Sequence, residues 1–242
     1  MSSSNKKIII IGATSGIGRA LAGLYAGRGD TVGITGRRHE LLNEIQQLYP
    51  TLVHTQCFDV TGSDNITHLE SLLQKTGGMD VLIYNAGYGE VSKTLQWELD
   101  KKMVNINVNG FIEIVNYAFN YFSKQGHGQV ATTSSIAAIR GNSQAPAYSA
   151  GKAFQSVYFE GLYMKAKRMK LNVHVTDIQP GFVDTKLAQA DKLFWVAPVM
   201  KAAKQIVKAI DNKKRKAYIT KRWWLIAQLL KIAPGFIYHR MA

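Results

Sequence analysis

The sequence contains a single cysteine, Cys57, among its 242 residues. One cysteine excludes an internal disulfide framework and fits a protein of a reducing compartment. It also excludes paired cysteine ligands, and the six histidines show no spacing typical of a metal site. We therefore expect no metal. Cys57 itself we expect to be a small buried residue of a strand.

Long apolar segments are missing as well. The first residues, MSSSNKKIIIIG, have a polar start, two lysines and an apolar run too short for the core of a signal peptide. The apolar run near the C-terminus is interrupted by Gln228, Lys231 and Pro234, which makes it a poor transmembrane span. We expect a cytoplasmic protein in which the first apolar run is a strand.

Acidic residues are scarce in the last quarter of the chain. The formal net charge is +14, from 30 Lys and Arg against 16 Asp and Glu. From Lys186 onward there are 13 basic and two acidic residues, so this part carries +11 and the first 185 residues carry +3. The asymmetry disfavours a nucleic-acid binder, whose basic patch would be built into the fold. It points instead to one end that meets an acidic surface or an anionic lipid.

Seven short apolar runs alternate with longer amphipathic stretches. The runs read as strands: KKIIIIG, TVGITG, LVHTQCFDV, MDVLIYNAG, GQVATTSS, LNVHVTDIQPG and KAYIT. Helices are predicted near 16–28, 38–49, 63–76, 93–124, 146–169 and 198–212. This order predicts an α/β fold, a doubly wound single domain over 1–242 with a mainly parallel seven-stranded sheet and helices on both faces.

A glycine-rich turn follows the first predicted strand. In GATSGIG, glycines at 12, 16 and 18 allow a tight turn and let backbone N–H groups approach a pyrophosphate at a helix N-terminus. Alone, three glycines also fit an ordinary tight connection. The position between strand and helix favours nucleotide binding. The predicted turn residues are Gly12, Thr14, Ser15, Gly16, Ile17 and Gly18.

Three further motifs accompany this turn: NAG (85–87) after the fourth strand, Tyr-x-x-x-Lys (148–152) after the fifth, and QPGFVDT (179–185). Together the four resemble the short-chain dehydrogenase/reductase family over nearly the whole chain. The resemblance implies an oxidoreductase that interconverts a carbonyl and an alcohol with a nicotinamide cofactor. It also implies a homodimer or homotetramer built through the helices near 93–124 and 146–169.

The end of the second strand predicts the cofactor. An acidic residue there would bind the 2′-hydroxyl of NAD, whereas this chain has Gly36 followed by Arg37 and Arg38. Arginine matches a 2′-phosphate that a carboxylate would repel, so we expect NADP(H), with Arg37 the main contact. The alternative is that both arginines only solvate a helix start.

The resemblance implies further cofactor contacts. Asp59 would hold the adenine amino group, with Val60 beside the ring, although Asp59 could instead cap the end of its strand. Asn85, Ala86 and Gly87 would line the adenosine side. Pro180 and Gly181 would shape the loop after the sixth strand, and the Val183 backbone and the Thr185 hydroxyl would reach the nicotinamide carboxamide.

Tyrosine and lysine four residues apart occur twice in one predicted helix, as Tyr148 with Lys152 and as Tyr163 with Lys167. Only the first pair has a serine thirteen residues upstream, Ser135, the interval that the family uses. Its neighbour Ser134 would point to the other side of an extended strand.

We expect Tyr148 to be the acid/base, with its pKa lowered by the Lys152 ammonium and the oxidised cofactor. Lys152 would also bind the nicotinamide ribose, and Ser135 would orient the substrate oxygen. The family pattern selects Asn107 over Asn105 and Asn109 as the fourth member. Its backbone would anchor a water that relays protons from Lys152.

Substrate contacts are assigned to the last part of the chain. Residues 186–220 would form the substrate lid and last strand, where Phe194 and Trp195 either cover an apolar substrate or pack the loop onto the domain. Residues 221–242 form a basic apolar tail that suits either an anionic membrane surface or a sheet-edge or subunit contact. Alternatives to the enzyme are a noncatalytic NADP-binding sensor or scaffold, or a peripheral membrane protein acting through this tail.

Overall fold

Seven strands form one sheet in which every neighbouring pair is parallel. The computed structural model describes residues 5–185 and 194–241. The strands are β1 (Lys7–Ile11), β2 (Thr31–Gly36), β3 (Val53–Cys57), β4 (Val81–Tyr84), β5 (Gly128–Thr133), β6 (Val173–Pro180) and β7 (Lys216–Ile219). Their order is β3-β2-β1-β4-β5-β6-β7. The predicted doubly wound α/β fold is confirmed, and the described sheet is wholly parallel.

Helices cover both faces of the sheet. They are α1 (Gly16–Gly27), α2 (His39–Leu48), α3 (Asn65–Thr76), α4 (Trp97–Val104), α5 (Gly110–Gln125), α6 (Pro146–Arg168), α7 (Val199–Asp211), α8 (Trp223–Ile232) and α9 (Gly235–Met241). Two separate apolar cores result. One contains residues of α1, α2 and α7, and the other contains residues of α3, α5 and α6.

The first strand shows why the apolar runs are almost continuous. Ile8 and Ile10 enter one core, Ile9 and Ile11 enter the other, and all four are fully buried. Successive side chains of a strand point to opposite faces, so a strand covered on both sides needs apolar residues at every position.

The chain reverses its direction of travel across the sheet at β1. This strand pairs with β2 on one side and with β4 on the other, because the chain returns from the β3 edge before it continues toward β7. At such a switch point the loops after neighbouring strands diverge and leave a crevice at the carboxyl edge of the sheet. The predicted motifs all follow carboxyl ends of strands, so the fold brings them to this crevice.

The helix expected over 93–124 differs in two ways. It begins at Trp97, and a π-helical turn at Asn105–Asn109 separates α4 from α5. Three of the five residues in that turn are asparagine, a weak helix former whose amide competes for backbone groups. Single π turns inside α-helices are frequent at functional sites.

Two other features bear on the predictions. Cys57 is exposed at the end of β3, the edge strand, so the prediction of a buried cysteine is wrong. In the part of the chain that the structure describes, no helix combines the length and apolar content needed to cross a membrane.

Candidate active site

The glycine turn after β1 is packed directly against the loop after β4. Gly12 has a φ of +87°, and a Cβ on it would lie 2.6 Å from Ala86 Cα. A Cβ on Gly18 would lie 2.1 Å from the Gly12 carbonyl oxygen. Asn85 Nδ2 donates to that same oxygen at 2.8 Å. The glycines are therefore required by close approach of backbone to backbone, which leaves a shallow cradle over the start of α1.

The loop after β4 extends from this turn to Lys152. Asn85 and Ala86 face the turn, and a Cβ on Gly87 would lie 3.2 Å from Lys152 Nζ. The NAG motif thus leaves space between the phosphate cradle and the ammonium. A side chain larger than hydrogen at Gly87 would fill it.

Gly36 and Arg38 lie over the first residues of the turn. A Cβ on Gly36 would approach Thr14 Cγ2 to 2.5 Å, so a carboxylate there would displace Thr14. Arg38 Nη2 donates to Thr14 Oγ1 at 2.5 Å and to Ser15 Oγ at 3.0 Å. Arg38 therefore contacts the turn itself rather than only solvating the start of α2.

Arg37 lies on the opposite side of this end of the crevice. Its Nη1 is 3.4 Å from Asp59 Oδ2, and both side chains are partly exposed. The other carboxylate oxygen of Asp59 accepts from Thr61 N and from Thr61 Oγ1, each at 3.0 Å. Asp59 thus caps the strand end, as one of the two predicted alternatives had it, and it faces the crevice with Val60.

The side chains of Tyr148, Lys152 and Ser135 meet at the carboxyl ends of the central strands. Lys152 is 2% exposed, and its Nζ donates to Thr133 O at 2.9 Å and to Gln155 Oε1 at 3.1 Å. Its Nζ lies 5.9 Å from the centre of the Tyr148 ring. Ser135 hydrogen-bonds the Tyr148 phenol. One turn of α6 therefore presents the phenol and the ammonium together.

The protonation of this group follows from burial. Burial raises the pKa of Tyr148, although the hydrogen bond from Ser135 acts in the opposite direction. Burial lowers the pKa of Lys152 from 10.5 to about 8, and the charge of Asp177 opposes that shift. The expected lowering of the Tyr148 pKa is therefore wrong for the protein on its own. The phenol keeps its proton at neutral pH, and Lys152 is mostly charged.

Asn107 lies behind this group in the π turn. Its Nδ2 donates to Tyr88 O at 2.7 Å, and its Oδ1 accepts from Tyr88 N at 3.1 Å. Its backbone oxygen accepts from Gln155 Nε2 at 2.9 Å. The side-chain amide of Gln155 thus bridges Asn107 and Lys152, the two residues that the resemblance connects through a water.

Ser134 and the second Tyr/Lys pair have other partners. Ser134 Oγ donates to Asp177 Oδ1 at 2.5 Å, and Ser134 lines the cleft beside Ser135. Lys167 Nζ lies 5.9 Å from the Tyr163 ring centre, the same separation as in the first pair, but Lys167 is exposed. Equal spacing therefore gives equal local geometry, and only the surroundings differ.

The loop after β6 closes the crevice opposite the NAG loop. A Cβ on Gly16 would lie 3.1 Å from Thr185 Cγ2, and Val183 forms a parallel bridge with Ala197. A Cβ on Gly181 would lie 2.0 Å from Trp223, which is buried. The loop is therefore fixed between the glycine turn and α8.

Most of the predicted lid, 186–193, lies outside the described residues. Phe194 and Trp195 pack with Trp223, with ring centres 5.2 and 6.2 Å away. Both remain almost half exposed. Of the two alternatives for these residues, packing onto the domain is the one observed.

One cleft of about 1250 Å³ joins these parts. Ligand pockets for single small molecules are typically about 300–1000 Å³, so this cleft has room for a dinucleotide and a substrate. Two predicted residues do not line it: Gly18 supports the turn, and Asn107 is buried behind Lys152. The predicted residues that do line it are Gly12, Thr14, Ser15, Gly16, Ile17, Arg37, Arg38, Asp59, Val60, Asn85, Ala86, Gly87, Ser135, Tyr148, Lys152, Pro180, Gly181, Val183 and Thr185.

Sequence reasoning missed the residues that close the other end of the cleft. Leu230 of α8 and Tyr238 of α9 line it together with Arg140. Arg140 Nη1 donates to Leu230 O at 3.3 Å and to Ala233 O at 3.1 Å, and its guanidinium lies 4.5 Å from the centre of the Tyr238 ring. Arginine five residues after Ser135 was a visible signal, but its partners lie about 90 residues away in sequence.

Comparison of the sequence with known proteins agrees with this architecture. The sequence model of the family described as short chain dehydrogenase matches residues 6–194. An uncharacterized oxidoreductase of Staphylococcus aureus (strain MW2) is 32% identical over 191 residues, 77% of this chain and 82% of that protein. Another from Myxococcus xanthus (strain DK1622) is 33% identical over 190 residues, 76% of this chain and 74% of that protein.

Solved structures show the same fold at low identity. A 3-ketoacyl-(acyl-carrier-protein) reductase from Brucella melitensis, complexed with NADH, superposes with a TM-score of 0.79 at 19% identity, covering 89% of this chain and 97% of that one. A short chain dehydrogenase from Bacillus anthracis gives 0.78 at 22% identity, covering 89% and 95%. The chain therefore belongs to the short-chain dehydrogenase family of oxidoreductases, which use NAD(P)(H) as cofactor.

Proposed function

We propose that the protein is an NADP(H)-dependent oxidoreductase that interconverts a carbonyl and an alcohol, with Tyr148 as the acid/base. The observation that carries the proposal is the buried Lys152 beside Tyr148 and Ser135 in a cleft that begins at the glycine turn. The glycine cradle and the gap at Gly87 fit a dinucleotide. When bound, the cofactor would supply or accept a hydride.

The residues supply the proton chemistry. In reduction the Tyr148 hydroxyl would donate its proton to the carbonyl oxygen, and Ser135 would orient that oxygen by a hydrogen bond. The raised pKa of Tyr148 keeps the phenol protonated at neutral pH, which suits an acid. The Lys152 ammonium would stabilise the phenolate left behind. The protein alone is thus prepared for the reductive direction.

Replacement of Tyr148 tests this chemistry. Tyr148→Phe removes only the hydroxyl, and general acid catalysis typically contributes about 100-fold to 10,000-fold, so we expect a loss of at least about 100-fold in ketone-dependent NADPH oxidation. NADPH binding should remain. Tyr163→Phe, in the second pair with the same spacing, is the matched control and should retain full activity, because this half-buried tyrosine lies outside the cleft. Equal activity of the two variants would contradict the assignment, and no turnover by the wild type on any ketone would favour a sensor or scaffold.

The preference for NADP(H) rests on Gly36, Arg37 and Arg38. No side chain at Gly36 competes for the ribose, and the two guanidinium groups flank the same end of the cleft. A charge-assisted hydrogen bond contributes about 1.5–3 kcal/mol, so Arg37→Asp should weaken NADPH binding roughly tenfold to 100-fold and affect NADH much less. Fluorescence titration measures both. Arg215→Met, which removes a surface arginine paired with Glu160, is the control. Tighter binding of NADH by the wild type would contradict the preference.

We propose an apolar substrate, because apolar side chains line part of the cleft outside the glycine turn. Ile136, Val91 and Phe182 line it together with Leu230. A series of ketones with increasing alkyl length should show rising kcat/KM by up to about one order of magnitude for each one or two buried methylenes. A flat series would contradict this substrate class.

The outer side of α8 and α9 is proposed to contact an anionic membrane. Trp224, Leu225, Leu229 and Ile232 are between 51% and 76% exposed, whereas Trp223 and Ala227 hold the inner side of α8 in the fold. Lys221, Arg222 and Lys231 flank this apolar surface, in a segment of net charge +11 from residue 186 onward. In this arrangement the protein would remain cytoplasmic and bind apolar substrates at the bilayer surface.

Vesicle sedimentation tests the membrane contact. The wild type should cosediment with vesicles that contain phosphatidylserine, and a Leu225→Gln/Leu229→Gln variant should bind at least tenfold more weakly. Both substitutions are on the exposed side and leave Trp223 in place. Equal, negligible binding by both proteins would remove the proposal. A fall in molecular mass for the variant would assign the surface to a second copy of the chain.

A homodimer or homotetramer is proposed through α4 to α6. Trp97 (71% exposed), Val157 (68%) and Met164 (59%) leave apolar side chains on these helices. Light scattering should give a multiple of the monomer mass, and Val157→Lys should lower it. A monomer at micromolar concentration would contradict this proposal.

A further inference from the structure

Gln155 is a buried side chain that makes contacts at both ends of its amide. It is 0% exposed and follows Lys152 by three residues on α6, so the two side chains share one helix face. Its Oε1 accepts from Lys152 Nζ at 3.1 Å, and its Nε2 donates to Asn107 O at 2.9 Å. One amide therefore connects the lysine of the site to the π turn.

The contacts of Lys152 leave one direction open. A lysine ammonium has three N–H donors. One is used by Thr133 O at 2.9 Å and one by Gln155 Oε1. The space left by the missing side chain of Gly87 adjoins Nζ. Thr133 and Gln155 thus fix the ammonium so that its third donor is available to the cleft.

Asn107 is itself held in place, which makes it a fixed anchor for Gln155. Its side-chain amide exchanges hydrogen bonds with the backbone N–H and C=O of Tyr88. A Cβ on Gly151 would lie 3.1 Å from Asn107 Cβ, so α6 and the π turn are in close contact. Gln155 therefore connects two rigid elements rather than a surface loop.

We propose that Gln155 is a positioning residue that fixes the Lys152 ammonium by connecting it to the Asn107 carbonyl of the π turn. The proposal rests on the proposed function. A carboxamide accepts at its oxygen and donates at its nitrogen, but it does not gain or lose protons near neutral pH.

Two substitutions separate this role from mere packing. Gln155→Met keeps similar length and removes the acceptor that favours charged lysine, so the Lys152 pKa should fall. Gln155→Glu keeps an acceptor and adds a negative charge, so the pKa should rise. The titratable groups near Lys152 are Tyr148 on α6, whose ring centre is 5.9 Å from Nζ, and Asp177 on β6, whose charge raises the lysine pKa and which is itself paired with Lys216 at 3.5 Å. Both are unchanged in the variants.

The readout is the alkaline limb of the pH profile of ketone reduction. We expect a shift of about one pH unit to lower pH in Gln155→Met and a shift to higher pH in Gln155→Glu. Gln129→Met is the matched control. Gln129 is a buried glutamine near the start of β5 that donates to Ile210 O and Thr176 Oγ1, so its loss should lower stability without moving the profile. Profiles of both Gln155 variants that superpose on the wild type after scaling would overturn the proposal.

A second measurement needs no turnover and separates this proposal from the function. The pH dependence of thermal stability in the cofactor-free protein, taken as the difference between each variant and the wild type, reports the change in the Lys152 pKa. Opposite shifts in the two variants would support the role of Gln155 even if no ketone were reduced. Identical pH dependence in wild type and both variants would reject that role even if ketones were reduced.

Discussion

Replacing Lys152 with methionine tests whether the site contains an ammonium whose charge is destabilised by burial. Burial lowers the pKa of Lys152 from 10.5 to about 8. In the unfolded chain the lysine keeps its proton up to about pH 10.4. Between these values the unfolded state binds more protons than the folded state, so the free energy of unfolding rises with pH. The destabilisation is fully present below pH 8 and is relieved above it.

The size of the expected gain in the free energy of unfolding follows from the pKa of Lys152. One pKa unit corresponds to about 1.4 kcal/mol. At about pH 9.5, roughly 1.5 units above the folded pKa, loss of the Lys152 proton should add about 2 kcal/mol to the free energy of unfolding relative to pH 7. For a chain of this size that is about 4–8 °C in the unfolding midpoint. Lys152→Met has no proton to lose, so its midpoint should lack this gain.

The assay is thermal unfolding of the cofactor-free proteins at about pH 7 and pH 9.5, followed by circular dichroism. Other titrating groups, such as the buried Tyr25 and Tyr84, are common to both proteins and cancel in the difference. Lys167→Met, in the exposed pair of equal spacing, should behave as the wild type does. If wild type and Lys152→Met change by the same amount between the two pH values, the lysine is not destabilised by burial and the reasoning fails.

Three further predictions concern the glycine turn, the contact of Arg140 with α8, and the pH dependence of ketone reduction. Gly12→Ala should lower stability by about 1–3 kcal/mol and weaken NADPH binding, because φ is +87° and the new Cβ would meet Ala86; thermal unfolding and titration measure both. Arg140→Met should raise KM for apolar ketones more than it lowers kcat, because it removes the hydrogen bonds that hold the end of α8 against the cleft. The kcat/KM for reduction should fall above about pH 8 as Lys152 loses its proton, which a pH profile checks.

Local patterns gave much of the fold and the outline of the site. The β1 run is apolar at every position because both faces are covered, and the glycines follow it where backbone meets backbone. Parallel strands bring their carboxyl ends to one edge, so four motifs spread over 170 residues were expected to converge. The fold inferences needed only periodicity, turn chemistry and strand direction, whereas the roles of the site residues came from the family resemblance.

The polar interior of the site could not be predicted in this way. Gln155 is visibly one turn from Lys152, but its second partner, Asn107, is 48 residues away in sequence and faces it only because a π turn interrupts the helix there. The direction of the Tyr148 pKa was missed for a related reason. The spacing of Tyr148 and Lys152 predicts a positive charge near the phenol. The larger effect on the Tyr148 pKa is burial, which depends on how the whole fold packs.

The balance between burial and a nearby opposite charge also explains how Lys152 can be buried and still keep its proton. An isolated buried ammonium would simply lose its proton. Lys152 is supported by the negative charge of Asp177, which raises its pKa against the effect of burial. Asp177 in turn accepts hydrogen bonds from three buried side chains, Ser134 (2.5 Å), Ser156 (2.7 Å) and Gln179 (2.9 Å). Ser134 and Ser135, which follow β5, have different partners: Ser134 bonds the carboxylate that supports the lysine, and Ser135 bonds the phenol. Asp177 lies on the side of the sheet covered by α6, the helix that carries both Ser156 and Lys152, so a substitution that removed Asp177 would act on the cleft without lining it.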